Sequence, residues 1–174
     1  MGTHNTSPTR SSNQKAPEHH RVKPDQSHPL FHAKPGHSYC TKCGAICFQK
    51  RWYIAPEEEK ALRQDKNASQ LLCPGCSMIE QELYEGEVIL ENSSFAPLMG
   101  EIVAVIKHTE GRCWHHNPMA RIGGIVEEKG VIHIQTTTHQ LAERIGKELK
   151  RAFKGSLEVK RTSGDQFVRV YWTD

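Results

Sequence analysis

Cys40-Thr41-Lys42-Cys43 and Cys73-Pro74-Gly75-Cys76 are two CxxC pairs with 29 residues between them. A CxxC bend presents two thiolates from one tight turn, and zinc takes four ligands in a tetrahedron, so two such bends close one shell. Gly44 follows the first pair and Gly75 sits inside the second, which suits turns whose amides point at sulfur. Lys42, Lys50 and Arg51 supply nearby cations against the net charge of about −2 that zinc carries with four thiolates. With cysteine at all four positions no coordination site is left for water, which argues against zinc catalysis. The expectation is one structural Zn2+ held by Cys40, Cys43, Cys73 and Cys76.

Other uses of these thiols fit less of the pattern. The insert exceeds the roughly 15 to 20 residues usual for this arrangement. A thioredoxin-type redox pair would leave the second CxxC unexplained. The commonest iron-sulfur runs are more compact, while a rubredoxin-like iron would take the same four sulfurs. Cys47 is surplus to a full shell and reads as a free thiol. His108, Cys113, His115 and His116 have the types for a second metal site, or for acid/base work by His115 or His116 in an enzyme. They lack a carboxylate at a diagnostic spacing, and the plainer reading is a polar connection after a helix.

Positive charge gathers in a different place. Arg144, Lys147, Lys150, Arg151 and Lys154 recur at helical spacing opposite Leu141, Ile145 and Leu149, and Lys160, Arg161 and Arg169 follow. With Glu143 and Glu148 interleaved, a solvated helix face looks like this. So does a phosphate-contacting one, and a basic arm, a cationic helix and a zinc knuckle together form a footprint for RNA. Trp52, Tyr53 and Trp114 are candidates to stack on unpaired bases. The function expected is a non-catalytic zinc-binding protein, not an enzyme, that contacts RNA or the ribosome. The alternative is a zinc-stabilised adaptor for another protein.

The elements that must position these residues follow from pattern. Residues 1–36 hold five prolines and five basic residues against two acids, with little apolar material, and read as a disordered basic arm. Residues 37–92 read as a small zinc-ribbon-like domain built on the four cysteine ligands. It has a strand at 52–54, a helix near 56–65 opened by Pro56 and three glutamates, helical turns at 77–83 and a strand at 87–91. Residues 93–174 read as an α+β domain of order αββαββ. Ser94 caps a helix ending near Gly111, strands follow at 121–127 and 131–137, and a Thr137-to-Gln140 capping box opens a second helix that Gly155 stops. A hairpin of 157–161 and 166–172 closes it. Such an order predicts a four-stranded, mainly antiparallel sheet with two helices on one face.

Composition sets the bounds. One hundred and seventy-four residues, 36% hydrophobic and 25% charged, allow one ordinary domain or two small ones and exclude a large multidomain enzyme. The longest aliphatic run, Ile102 to Ile106, is far below the roughly 20 residues that span a bilayer. The first thirty residues are polar where a secretory signal is apolar, so the expected setting is cytoplasmic and reducing, with no membrane partner. GxxxxGK[ST], GxSxG and HExxH are absent. The net charge of +3 is polarised: residues 81–136 carry four basic groups against eight acids, and residues 137–174 eight against five.

The run Cys40-x-x-Cys43-Gly44-Ala45, then Arg51-Trp52, then Cys73-Pro74-x-Cys76 resembles the N-terminal zinc region of the Nmd three family, the adaptor of the large ribosomal subunit. Short bacterial proteins are also similar over residues 37–174, through QTTTHQLAERIG and the closing FVRVYW. The resemblance implies zinc ligation by Cys40, Cys43, Cys73 and Cys76 and, more distantly, association with the ribosome. The adaptor family is longer and has more CxxC pairs, so its export role is not implied.

Overall fold

The computed structural model describes residues 38–91, 97–161 and 167–173. The expected arm at 1–36, the Ser94 cap and the 163–165 turn lie outside the described residues. Among the described residues the fold is α+β, with four helices and two mixed sheets.

The first sheet has the order β3-β2-β1-β4, from β1 (Ser38–Cys40), β2 (Ile46–Phe48), β3 (Arg51–Tyr53) and β4 (Ser69–Leu71). Between β3 and β4 lies α1 (Pro56–Gln64), begun by Pro56 with Glu57, Glu58 and Glu59 in its first turn, where carboxylates meet the free amides of a helix start. Leu62 on α1 packs with Tyr39 and Ile46 as a small core. β1 and β4 pair in parallel, with Cys40 opposite Leu71. Two parallel neighbours end on the same side of a sheet, so both CxxC bends leave from one edge.

α2 (Pro74–Glu80) begins inside the second bend, earlier than the 77–83 expected, because Pro74 sits at its first position and Cys73 caps it. The chain then enters β5 (Gly86–Glu91), α3 (Met99–His116), β6 (Ile122–Glu128), β7 (Val131–Thr136), α4 (His139–Phe153), β8 (Ser156–Arg161) and β9 (Val168–Thr173). The second sheet has five strands, ordered β6-β7-β5-β9-β8. Four of them are the strands expected after residue 93. The fifth, β5, ends just before the expected boundary at 92 and inserts between β7 and β9, antiparallel to the first and parallel to the second. Val88, Ile89 and Leu90 are all buried, and a strand apolar on both faces belongs in the middle of a sheet rather than at the rim of a metal domain.

One face of this sheet is packed. Val88, Leu90, Ile134, Val170 and Trp172 meet Leu141, Ile145 and Leu149 of α4 and Ile102 and Ile106 of α3. α3 runs five residues beyond Gly111, because its core-facing stripe continues to Cys113. The cap of α4 is Thr138, whose hydroxyl accepts from the Leu141 N–H at 3.4 Å; Thr137 has other work, described below. The opposite face carries Val126, His133, Glu87, Arg169, Tyr171 and Lys160 on successive strands. At its centre Glu87 accepts from Arg169 Nε at 3.2 Å and lies 2.9 Å from His133 Nδ1.

Candidate metal centre

Cys40 closes β1, Cys43 ends the turn that follows, Cys73 comes two residues after β4 and Cys76 lies in the first turn of α2. Their four sulfurs all lie within 4.8 Å of one another, with Cys43 and Cys73 at 3.6 Å. A tetrahedron with zinc-sulfur bonds of about 2.3 Å has sulfur-sulfur edges of about 3.8 Å, so the spacing fits a tetrahedral thiophilic ion. It is the one grouping of three or more metal-ligating side chains among the described residues.

The local fold builds the first knuckle from backbone bonds. Cys40 N–H donates to the Ala45 carbonyl at 2.7 Å and Gly44 N–H to the Cys40 carbonyl at 3.0 Å. Gly44 holds φ +75, the left-handed region a side chain disfavours, and a Cβ there would lie 3.0 Å from the Glu59 carboxylate. Two amides also point at sulfur. Cys73 N–H donates to Cys40 Sγ at 3.3 Å, and Cys76 N–H to Cys73 Sγ at 3.4 Å. Gly75 does not supply such an amide. It stands so close to the turn before β6 that a Cβ there would lie 2.9 Å from the Pro118 carbonyl and 3.0 Å from Met119.

Cys40, Cys73 and Cys76 are buried and Cys43 is half-buried, with Trp52, Ile54 and Leu72 packed around them. Crowded thiols share protons. Sulfur hydrogen bonds from Cys43, then Cys73 and Cys76, hold the Cys40 thiol far below its ordinary range, and those from Cys40, Cys43 and Cys76 push Cys73 far above it. With Cys40 and Cys43 drawn below the ordinary thiol range, Cys43 to about 7, and Cys73 and Cys76 pushed above it, the cluster keeps two protons that an incoming cation must displace. All six cysteines are free, and Cys40, Cys43, Cys73 and Cys76 are the ones that converge. Cys47 is buried in β2 outside the cluster, where burial raises its thiol.

The cation beside the sulfurs is not one that the local sequence offered. Lys42 reaches Glu80 at 2.5 Å, and Lys50 and Arg51 are exposed. Arg121, from the turn before β6, places Nη1 4.0 Å from Cys76 Sγ. It is 45 residues from Cys76 in sequence, and no spacing rule announces it.

The histidine group divides. His108, His115, His116 and Cys113 all lie on α3, with the three histidines exposed and Cys113 turned toward the core. None of the stacking candidates is fully exposed. Trp52 packs on the cysteines, Trp114 lies under the Arg121 guanidinium at 5.9 Å, and Tyr53 donates to Glu58 at 2.8 Å.

The basic residues do assemble. Arg144, Lys147, Lys150 and Arg151 line the outer side of α4, and Lys154 follows its last residue, all exposed. Arg144 and Arg151 reach Glu148 at 3.7 and 2.7 Å, while Lys147 and Arg161 reach Glu143. The cations lie outermost: the side chains of Arg144, Lys147 and Arg151 are 57%, 66% and 76% exposed, against 17% for Glu143 and 12% for Glu148. Among the described residues, Lys150 and Lys154 have no ion pair. Lys160 turns to the other side of the sheet, where its ammonium sits 4.6 Å from the Tyr171 ring centre and 3.2 Å from Glu158.

No helix among the described residues is long and apolar enough to cross a membrane. No protein-family model, no curated protein and no solved structure matches the chain.

Proposed function

We propose that the chain is a non-catalytic protein with a zinc-ribbon-like Zn2+ centre that contacts RNA, on the ribosome or in free form, through the outer side of α4. The convergence of four cysteine sulfurs within 4.8 Å, with no other ligand type among them, carries the metal half of the reading. Thiolate-only tetrahedra suit zinc and leave no open position for a reacting water, so the metal holds structure. Free thiols of this kind fit a reducing, cytoplasmic setting.

The RNA half is supported by the layering on α4, where exposed cations cover two sunken carboxylates. A polyanion displaces counterions from such a face, and the contact weakens as salt rises. The resemblance of the two knuckles to the ribosomal-subunit adaptor family points the same way. Sedimentation of ribosomes from cells at low and high salt tests it: the protein should travel with ribosomal particles at low salt and leave them at high salt. A protein that stays at the top of the gradient at every salt, and carries no nucleic acid when purified, sinks the RNA reading.

The face of the second sheet opposite α3 and α4, which carries no helix among the described residues, favours one other reading, an adaptor for a protein. Val126 is 55% exposed there and Ile89, His133 and Tyr171 extend its row. A partner protein captured by a variant that has lost the α4 cations would favour it.

A further inference from the structure

We infer that Arg121 is the outer-sphere cation of the metal centre, and that the metal thereby locks the α3–β6 corner against the second knuckle; this rests on the zinc reading above. The guanidinium is held from two sides, and the backbone behind it is fixed as well. Arg121 Nε lies 3.6 Å from Glu110 Oε1, and that same oxygen accepts from the Ile122 N–H at 2.8 Å. The indole of Trp114 packs beneath it, with 5.9 Å to the ring centre. Its own backbone is pinned by Thr137: Arg121 N–H donates to Thr137 Oγ1 at 2.8 Å, and Thr137 N–H to the Arg121 carbonyl at 2.9 Å. A side chain fixed in this way, with Nη1 4.0 Å from Cys76 Sγ, points a charge at the sulfur at little further entropic cost.

A centre of one divalent cation and four thiolates carries about −2, and donors and cations around the sulfurs tune how tightly such a centre holds its metal. Arg121 supplies a positive charge from outside the knuckle. Gly75 brings the two backbones together, since its Cα surface lies against Pro118 and Met119 with no room for a methyl. The bend that carries Gly75 is shaped by the metal through Cys73 and Cys76. Loss of the metal therefore frees the bend, and with it the corner that Arg121 tethers and the end of α3 that carries Trp114, His115 and His116. The metal acts on the second sheet as well as on its own.

Cobalt and hydrogen exchange test this on the full chain. Co2+ replaces zinc in parent protein and in Arg121→Gln, Arg121→Lys and Lys42→Gln. Arg121→Gln should shift the sulfur-to-cobalt charge-transfer band and weaken metal binding about tenfold, the low end for outer-sphere changes. Arg121→Lys should recover part of both effects, and Lys42→Gln, whose ammonium is paired with Glu80, should move both less than Arg121→Gln does. Hydrogen exchange of the parent needs no variant: removing the metal with a chelator should speed exchange across residues 110–122 as well as 38–80. Exchange that quickens only within 38–80, or a charge-transfer band and affinity unmoved by Arg121→Gln, overturns the inference while leaving the metal reading intact. A parent that takes up neither cobalt nor zinc overturns both.

Discussion

Arg112 on α3 donates to the carboxylate of Glu148 on α4 at 2.8 Å, so the two helices that cover the second sheet are tied across their outer surface. The Arg112 bond holds the Glu148 carboxyl below its ordinary value of 4.5 against the opposing effect of burial, with Arg151 and Arg144 assisting. A carboxyl with a depressed folded-state pKa stabilises above its unfolded value and loses that contribution as pH falls through the folded one. Glu148→Gln should therefore lower stability by about 1 kcal/mol at neutral pH, the upper range for an exposed ion pair. The difference from the parent should shrink as pH falls below about 4. Urea titrations at both pH values measure it, and a difference that grows on acidification would contradict the assignment.

Cys73→Ser should empty the centre, because a serine hydroxyl can still cap α2 by accepting from the Cys76 amide but does not replace the thiolate ligand. Cys47→Ser and Cys113→Ser should keep about one zinc per chain, since neither sulfur joins the cluster. Elemental analysis of freshly purified protein decides both. Metal lost from either bystander variant would show that the wrong four residues were chosen.

Zinc affinity should fall steeply on acidification. Cys73 and Cys76 are both pushed above the ordinary thiol range, with the hydrogen bond to Cys40 the largest cause for each, so the metal-free cluster keeps those protons at neutral pH. Zinc must displace them, and with about two protons released per ion, affinity drops roughly a hundredfold for each pH unit. Competition with a chromophoric chelator between about pH 6 and pH 7.5 gives the slope. A pH-independent affinity would mean that the thiols are already ionised.

Glu87→Ala should cost about 2 kcal/mol, because it leaves Arg169 and His133 without the acceptor they share in the middle of the sheet. Glu87→Gln, which retains an acceptor, should cost about half as much. Equal losses in a denaturant titration would assign the effect to packing instead.

Alanine at Arg144, Lys147, Lys150 and Arg151 together should weaken RNA binding uniformly across sequences. Each lost phosphate contact should reduce the slope of log affinity against log salt by roughly 0.7 to 0.9. An unchanged slope would leave α4 as an ordinary ion-paired surface, held by Glu143 and Glu148.

What the sequence disclosed about the centre was what is local. Each CxxC pair is a turn, and four cysteines at that spacing identified one another before any fold was known. Arg121 stayed hidden because its approach to Cys76 depends on how α3 and β6 meet at a corner. Gly155 does stand just past the end of α4, but the helix-end signals at Gly111 and Thr137 are outweighed by context. Gly111 is tolerated inside α3, where a Cβ would meet nothing within 4 Å and the apolar stripe continues. Thr137 yields the cap to Thr138 because its hydroxyl is engaged by the backbone around Met119 and Arg121. The place of β5 was illegible for a different reason: pairing in parallel with a distant strand leaves no turn between the two to announce it.

That pairing puts a clock on the chain as it is made. Glu87 precedes His133 by 46 residues and Arg169 by 82, so the middle strand is synthesised before either of its neighbours. At about 5 to 20 residues per second, β5 waits roughly 4 to 16 seconds for β9 to emerge. During that interval Val88, Ile89 and Leu90 have at least one open backbone edge, and closing the sheet requires a long-range contact of the kind that folds slowly. The metal knuckle, finished before β5 is translated, can form first and give the growing chain a folded end while that edge remains open.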